Sequence, residues 1–409
     1  MPPATAMMSP RRLLGWTVRA AVVALLIWQC ARLTDPSLLR PSDFVEYWSA
    51  GRLNFAGGNP YGSEELFALQ HDYGCPDDRP VMMYNPPWTL PFVMPFAALD
   101  YGTGRLAWLL VQFGLVLVCA GAVWRLFGGP AAQRWIAWGL ALTFFPTLIA
   151  LRMGQIAPLM LAGLVGFVYF IRQSRGWLAG LALLPAMVKP QLFHLLWLAL
   201  LLWAVHGRRW SVLLGAIAGL LASTALALAV NPHVLTQYAD VMTHHPPAEC
   251  LSPTLGAVLR TVFGREHFWL QFLAPLIGVA WLVPHWWRHR DGWSWDQQLP
   301  LLLLVSLLTT SYGAWAFDLV VLLLPMLRIA VKLRLTRTQP MTWFALSAYL
   351  AVNALALVLS LWGVDGFWFL WMTPAALFAY LALDQTSVDL TTPGAHLVAI
   401  RSLEYGRPD

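Results

Sequence analysis

The stretch that organises the chain reads Ser42-Asp43-Phe44-Val45-Glu46-Tyr47-Trp48, and it follows the first long apolar segment directly. If this stretch is helical, Asp43 and Glu46 share one face, because side chains three residues apart are neighbours on a helix. A carboxylate pair is then held where the chain leaves a bilayer. The aromatic residues form a stripe that we expect to rest in the lipid headgroup region: Phe44, Tyr47 and Trp48.

A second interpretation of the same residues is purely structural. Asp43 is also a suitable helix N-cap, and Glu46 three residues later completes a spacing like that of a capping box. In that case the two carboxylates serve the start of the helix and carry no chemistry. Both interpretations fit the sequence.

The composition is that of a polytopic membrane protein. Of the 409 residues, 58% are hydrophobic and only 11% are charged, and the mean hydropathy is +0.60, which excludes an ordinary soluble domain. The net charge of +6 does not indicate a nucleic-acid partner, because the basic residues stand at the ends of apolar segments. At roughly 20 residues per span plus loops, about twelve transmembrane helices fit the chain.

These features predict an all-α fold with a single transmembrane domain over residues 1–383. We expect a first outer loop over residues 34–104 and a cytoplasmic tail over residues 384–409. Apolar runs, Pro and Gly breaks and Arg clusters place the expected spans at 13–33, 105–127, 134–151, 156–171, 176–188, 191–205, 210–230, 268–287, 298–311, 316–331, 341–361 and 367–383.

The Lys and Arg residues of the short loops orient these spans. With both termini in the cytoplasm, the Arg clusters fall in cytoplasmic loops. This orientation depends on residues 86–98, which we interpret as an interfacial or re-entrant helix, because the segment is short and rich in proline. The unusual polar motifs then all lie on the outer face, so we expect the chemistry there.

Two charged residues interrupt apolar sequence on that face. Lys189 stands between two apolar runs, where a charged side chain is costly and functional by default. Lys189 is suited to bind a lipid phosphate, and Arg152 is a second candidate for this role. The alternative is that the Lys189 side chain only extends to the lipid headgroups. Asp318 opens another apolar segment: it pairs with Lys189 or Arg152, binds substrate hydroxyls, or serves as a helix-start carboxylate.

The histidines and cysteines of the outer loops give weaker indications. His244 and His245 do not share a helix face, and no Cys or carboxylate stands at a recognised ligand spacing, so we expect no metal. They either orient substrate hydroxyls or a phosphate, or are plain loop residues. Cys75 and Cys250 fall in the two longest outer loops, where an oxidising compartment would allow a disulfide.

Several short motifs occur in a fixed order over roughly residues 40–330. They are Asp-Phe-x-x-Tyr-Trp, Ala-Gly-Arg-Leu, Gly-x-Pro-Tyr, Asn-Pro-Pro, Gly-Gln, Lys-Pro-Gln, and Trp-x-x-Asp before a Leu-rich run. This ordered set resembles the polyprenyl-phosphate-mannose-dependent α-mannosyltransferases of glycosyltransferase family 87. The resemblance implies a GT-C fold with juxtamembrane helices in the first outer loop, around residues 43–55 and 86–98.

Site residues follow from the resemblance by position. It makes Asp43 the catalytic base, with Glu46 as a candidate helper, and assigns the donor phosphate to Lys189; from its charge we expect Arg152 to assist there. It places further residues along the substrate site: Glu46, Tyr47, Asn85, Gln155, Gln191, His244, His245 and Asp318. It implies neither a cofactor nor a metal.

The expected activity is transfer of a hexose, with mannose as the expected sugar, from a polyprenyl-phosphate-linked donor to a glycan or glycolipid acceptor. The site would lie on the periplasmic face of a bacterial cytoplasmic membrane, among membrane lipids, and a single displacement would invert the anomeric centre. The alternatives are a transporter of lipids or lipid-linked sugars and a glycan ligase. A transporter would carry polar residues along a path through the membrane, and a ligase would need more outer cations for a diphosphate.

Overall fold

The computed structural model describes residues 42–75, 78–244, 246, 251–336, 339–364 and 366–385. Within these ranges the chain is all-helical and contains no β-strand. The all-α part of the expected fold is therefore confirmed. The first expected span, 13–33, and nearly all of the expected tail lie outside the described residues.

We number the helices in chain order among the described residues. Three helices precede residue 100: α1 (Phe44–Phe55), α2 (Ser63–Asp72) and α3 (Leu90–Ala97). The later helices are α4 (Tyr101–Leu126), α5 (Arg134–Thr143), α6 (Phe145–Met153), α7 (Ala157–Arg172), α8 (Gly176–Ala182), α9 (His194–His206), α10 (Trp210–Val230), α11 (Val234–His244), α12 (Leu255–Phe263), α13 (Leu273–His289), α14 (Trp295–Leu308), α15 (Leu323–Thr336), α16 (Gln339–Leu361) and α17 (Met372–Gln385). Short 3₁₀ helices join several of them, including Leu184–Val188, Pro190–Phe193 and Asp318–Leu322.

Helix α1 is the helix expected from the opening stretch, but the interior of the protein surrounds its aromatic residues. Phe44, Tyr47 and Trp48 are each no more than 1% exposed. They pack against Tyr101 and Trp108 of α4, with ring centroids 5.8, 6.1 and 5.5 Å apart. The expectation that this stripe rests in the headgroup region is wrong, because the same spacing serves packing of one helix on another.

Helix α3 is the helix expected within residues 86–98. Its eight residues rise about 12 Å, far less than the roughly 30 Å of a bilayer core. It packs against α1, and the side chain of Arg52 donates a hydrogen bond to the carbonyl oxygen of Ala97 (3.1 Å). The segment is therefore a short helix beside α1 and is not a span.

Five described helices are long and apolar enough to cross a membrane: Tyr101–Leu126, Trp210–Val230, Phe268–Gly292, Gln339–Leu361 and Gly366–Asp384. The bent pair formed by α5 and α6 would make a sixth. Other apolar helices in the described residues have only 10–17 residues each. Helices occupy the expected positions after residue 100, but the expected number of about twelve spans is not confirmed, because several of them are short or broken.

The bend between α5 and α6 measures 62°. Phe144 has an extended backbone there (φ −76°, ψ 118°), and Pro146 lies in the first turn of α6. The first N–H groups of a helix lack a partner within it, and the N–H of Phe145 donates to Oδ1 of Asn353 on α16 at 2.6 Å. A side chain from a distant helix thus caps α6 at the break.

The two ends of the bundle carry different residues. Arg172 at the end of α7 pairs with Asp296 at the start of α14 (2.8 Å) and donates to the carbonyl oxygen of Leu126 at the end of α4. Asp384 on α17 pairs with Lys332 near the end of α15 (3.0 Å). Basic helix ends thus meet at one end of the bundle, and α1, the α6–α7 turn and the segment before α15 lie at the other.

Helices α8 and α10 approach each other through glycines. A Cβ added at Gly180 would lie 2.0 Å from the carbonyl oxygen of Val212, and one added at Gly215 would lie 2.2 Å from that of Trp177. Because α8 leads into the turn that carries Lys189, this contact also fixes one wall of the site described below.

We predict that Gly215→Ala lowers the free energy of unfolding by about 1–3 kcal/mol, because the new methyl group forces α8 and α10 apart. Thermal unfolding of the detergent-purified protein measures the effect. Gly114→Ala on α4 is the matched control, since nothing lies within 4 Å of its added Cβ. Equal melting temperatures for Gly215→Ala and the wild type would contradict the close approach.

Candidate active site

Asp43 stands immediately before α1, and its side chain does not cap that helix. Its carboxylate instead accepts a hydrogen bond from Nε2 of Gln155 at 2.6 Å, across more than a hundred residues of chain. The backbone still begins the helix in the usual way, with the N–H of Glu46 donating to the carbonyl oxygen of Asp43 (3.2 Å). The capping-box interpretation therefore does not describe the side chain of Asp43.

The turn between α6 and α7 presents Gln155 to Asp43, and Gly154 makes this turn feasible. Gly154 has φ +74°, which disfavours any residue with a side chain, and a Cβ there would lie 2.7 Å from Cβ of Phe44. Its carbonyl oxygen accepts a hydrogen bond from Nε1 of Trp108 (2.7 Å). The turn and the start of α1 are thus packed directly against each other.

Gln155 connects three functional groups. Its Nε2 donates to Asp43, while its Oε1 accepts a hydrogen bond from the hydroxyl of Tyr47 (2.9 Å) and lies 3.4 Å from Nζ of Lys189. These partners fix the orientation of the amide, because two donors face its oxygen and a carboxylate faces its nitrogen. Gln155 is only 4% exposed, so the arrangement is held inside the protein.

Lys189 and Asp318 form an ion pair with Nζ and Oδ1 2.8 Å apart. The Asp318 side chain is fully buried, whereas that of Lys189 is 12% exposed. The other carboxylate oxygen of Asp318 accepts the backbone N–H of Trp315 (3.2 Å), and Nζ of Lys189 lies 5.0 Å from the ring centre of Phe317. Of the alternatives for Asp318, pairing with Lys189 is the one observed.

Arg105 on α4 is a charged neighbour that the sequence analysis missed. It is fully buried, and its Nη2 donates to the carbonyl oxygens of Leu151 (2.9 Å) and Arg152 (2.7 Å) at the end of α6. The signal was present, since a charged residue in an apolar segment is functional by default. Its place at the predicted start of a span made it resemble an ordinary boundary residue.

Asn85 lies at the edge of the same cluster. Its side chain approaches the hydroxyl of Tyr47, and its amide nitrogen is buried without a hydrogen-bond partner among the described residues. The carbonyl oxygen of Asn85 accepts a hydrogen bond from the hydroxyl of Tyr61 (3.1 Å). Nearby, Nε1 of Trp88 donates to the carbonyl oxygen of Met187 (2.8 Å), which ties this segment to the turn before Lys189.

Glu46 carries a proton at neutral pH. Burial raises its pKa from an ordinary 4.5 to about 8; the charge of Lys189 opposes the rise, while Asp43 and Asp318 add to it. The side chain is nevertheless half-buried rather than enclosed. Protein atoms surround it densely, yet the residue as a whole keeps partial exposure to solvent.

The pKa of Asp43 is also raised by burial, but several groups counter the effect. The hydrogen bond from Gln155, the charge of Lys189 and the charge of Arg105 all lower the pKa, in that order, and Asp318 raises it slightly. Like Glu46, Asp43 keeps partial exposure. The cluster thus offers a carboxylate that can accept a proton, a neutral acid that can donate one, and an ammonium group that can bind phosphate.

Other predicted site residues lie outside this cluster. Arg152 is exposed, and His244 is exposed at the end of α11, where it pairs with Asp240 (2.9 Å). The carbonyl oxygen of Gln191 accepts the hydroxyl of Thr310 (2.9 Å), which places its backbone, rather than its side chain, in a described contact. Their roles in substrate binding stay predictions.

His245 and Cys250 lie outside the described residues, so the roles predicted for them, including the disulfide with Cys75, stay predictions as well. Cys75 itself is buried. In the part of the chain that the structure describes, no three His, Cys, Asp or Glu side chains are grouped so as to hold a metal ion.

Comparison with known proteins adds a family. The model of glycosyltransferase family 87 matches residues 83–311, more than half of the chain. The matched segment contains Asn85, Arg105, Gln155 and Lys189; Asp43 precedes it and Asp318 follows it. No curated protein and no solved structure matches the chain.

We predict that Asp318→Leu lowers the free energy of unfolding by about 3–5 kcal/mol, because it leaves a largely buried ammonium group without its partner. The double variant Lys189→Met/Asp318→Leu should recover most of this loss, since apolar groups replace a buried pair well. Denaturation in detergent measures both. Asp291→Leu, at a side chain that is 82% exposed, is the control. A double variant no more stable than the single one would refute the coupling.

A second prediction concerns pH. Between its ordinary pKa of 4.5 and about 8, Glu46 holds a proton in the folded protein that it lacks when unfolded, so stability falls as the pH rises across this window. The slope is at most about 1.4 kcal/mol per pH unit. Glu46→Gln should flatten the decline, with the melting temperature of the variant gaining on the wild type from pH 5 to pH 8. A constant difference between the two would show that Glu46 is ionised throughout.

Proposed function

Because the chain belongs to glycosyltransferase family 87 and is a membrane glycosyltransferase, we propose that it transfers a hexose from a polyprenyl-phosphate-linked donor to a glycan or glycolipid acceptor. Mannose is the proposed sugar. The observation that carries the proposal is the half-buried carboxylate of Asp43, held by Gln155 beside the Lys189–Asp318 ion pair. The proposed base and the proposed phosphate-binding cation thus both contact the side-chain amide of Gln155.

The reaction is a single displacement. The carboxylate of Asp43 accepts the proton of an acceptor hydroxyl as its oxygen attacks the anomeric carbon of the donor. The bond from that carbon to the phosphate oxygen breaks, and the electron pair leaves with the phosphate. One displacement inverts the anomeric centre, so a β-linked donor gives an α-linked product.

The leaving phosphate needs stabilisation of charge more than it needs an acid. Lys189 and Asp43 both contact Gln155, and among the cations Lys189 has the largest effect on the pKa of Asp43. Its side chain is 12% exposed, so a substrate oxygen can approach it. Glu46, protonated at neutral pH, can donate a hydrogen bond to a phosphate or sugar oxygen. The negative charge of the sugar-phosphate donor therefore enters a site in which both Lys189 and Glu46 can donate hydrogen bonds to it.

We further propose that the end of the bundle with Asp43 faces the periplasm of a bacterium and the end with the basic residues faces the cytoplasm. The support is the separation described above, with Arg172 and Lys332 at one end and the candidate site at the other. Cytoplasmic loops carry an excess of Lys and Arg. A polyprenyl carrier supplies the sugar within the membrane, which fits a site just above the bilayer.

We predict that Asp43→Asn reduces transfer at least about 100-fold, because the amide cannot accept the proton, while the fold persists. The assay measures radiolabelled mannose passing from polyprenyl-phosphate-mannose to membrane acceptors, with the purified protein. Asp72→Asn, an exposed acid-to-amide change on α2, is the matched control, and thermal unfolding verifies equal stability.

The outcomes separate the candidate functions. Undiminished transfer by Asp43→Asn would keep the enzyme and remove Asp43 from the role of base. No transfer by the wild type over a panel of lipid-linked sugars would favour a transporter, and transfer of a whole glycan would indicate a ligase. Retention of the donor's anomeric configuration in the product would overturn the single displacement.

A further inference from the structure

Arg105 occupies a position that its hydrogen bonds do not fully explain. Its guanidinium is enclosed between α1, α4 and the end of α6, with the ring centre of Phe44 at 5.7 Å. A Cβ at Gly154 would lie 3.2 Å from its Nη1. Only Nη2 is engaged, by the carbonyl oxygens of Leu151 and Arg152, and both Nε and Nη1 are buried without a partner among the described residues.

Burial of the Arg105 guanidinium in this way costs free energy. Each buried N–H without a partner carries a desolvation penalty, and a buried guanidinium carries a larger one. Two carbonyl oxygens at a helix end can be satisfied by a neutral donor, so they do not require a full positive charge. The charge must therefore be compensated elsewhere. The ionisable groups that interact with it are the phenol of Tyr101 on the same helix and, with a smaller effect, the carboxyl group of Asp43 at the adjoining start of α1. A phenol is neutral at neutral pH, so Asp43 is the one of the two that can carry a compensating charge.

We propose that Arg105 is a positioning residue whose buried charge favours the ionised form of the Asp43 carboxylate, and hence its use as a base, while a substrate phosphate engages Lys189. This inference rests on the proposed function. Arg105 does not touch substrate in this role, since its nitrogen atoms are enclosed. It acts through Asp43, and at the same time it holds the carbonyl end of α6, from which Gln155 reaches the same carboxylate.

Two other groups favour the ionised form of Asp43 more strongly than Arg105 does: the hydrogen bond from Gln155 on the α6–α7 turn and the charge of Lys189 before α9. Asp318 before α15 disfavours ionisation, and Glu46 on α1 is neutral at neutral pH. Gln155 carries no charge of its own. Lys189 is already paired with Asp318, and a bound phosphate would draw more of its charge. Arg105 is then the one cation in this group that no substrate can reach or neutralise.

A purely structural role makes a different prediction. If Arg105 only secures the end of α6, any donor that reaches the carbonyl oxygens of Leu151 and Arg152 should serve, whatever its charge. Arg105→Gln and Arg105→Lys form a matched pair for this question, because both are shorter donors and only the lysine is charged. Arg105→Met is a second neutral variant, and Arg79→Gln, at an exposed site, is the control.

The test measures protonation of Asp43 directly. A hydrophobic carbodiimide labels protonated carboxyl groups, and peptide mass spectrometry distinguishes Asp43 from Glu46. We expect the pH of half-maximal labelling of Asp43 to rise by about one unit or more in Arg105→Gln and Arg105→Met, and to stay near the wild-type value in Arg105→Lys and Arg79→Gln. The acid limb of the pH profile of kcat/KM should move in parallel.

Two results would overturn the inference. One is an unchanged labelling midpoint in the neutral variants, whether or not their activity falls. The other is an equal shift in Arg105→Lys, which would assign the effect to geometry rather than to charge. The labelling needs no turnover, so it stands even where Asp43→Asn proves active; in that event Asp43 loses the role of base, while the effect of Arg105 on Asp43 is still measured.

Discussion

The hydrogen bond from Gln155 to Asp43 is the contact on which the candidate site depends. It joins the first described helix to a turn in the middle of the bundle, and the same amide binds Tyr47 and lies next to Lys189. The amide has only one orientation that satisfies all three. Displacement of any one of these elements would therefore disturb the other two, and so the proposed base, Asp43, and the proposed phosphate-binding cation, Lys189, are positioned together.

The charge balance of the cluster follows from burial. With Glu46 neutral, the remaining acids of the cluster, Asp43 and Asp318, do not outnumber its two cations, Lys189 and Arg105. The proposed anionic donor would thus meet a site with no net negative charge. An ionised Glu46 would repel the proposed phosphate, so the dense protein around Glu46 favours the proposed binding as well as the fold.

Much of this arrangement was predictable from the residues, because charged side chains are rare in so apolar a chain. Lys189 and Asp318 were identified as charged residues within apolar sequence, and in the structure they form an ion pair. Arg105 satisfied the same rule but stood at a predicted span boundary. Arg152 was the second candidate for the phosphate, but its side chain is exposed, and it is the carbonyl oxygen of Arg152, at the end of α6, that Arg105 binds.

What surrounds the aromatic residues of α1 could not be predicted from the sequence, since an apolar stripe has the same spacing whether lipid or protein covers it. The number of spans could not be predicted from the sequence either. Helices interrupted by Pro and Gly, such as α5 with α6, are together apolar enough for a span, but neither has the length of a regular one. The raised pKa of Glu46 depends on burial and on charges from two distant segments, those of Lys189 and Asp318, which no local pattern contains.

The cap that Asn353 places on α6 bears on how much of the chain is needed to form the candidate site. Helix α6 leads directly into Gly154 and Gln155, yet its first turn is completed by α16, which lies beyond the segment that defines the family. Asp318 lies beyond it too. The segment that the family model matches therefore does not build the candidate site alone. Helices C-terminal to it complete the site, although their sequence by itself would suggest only contact with lipid.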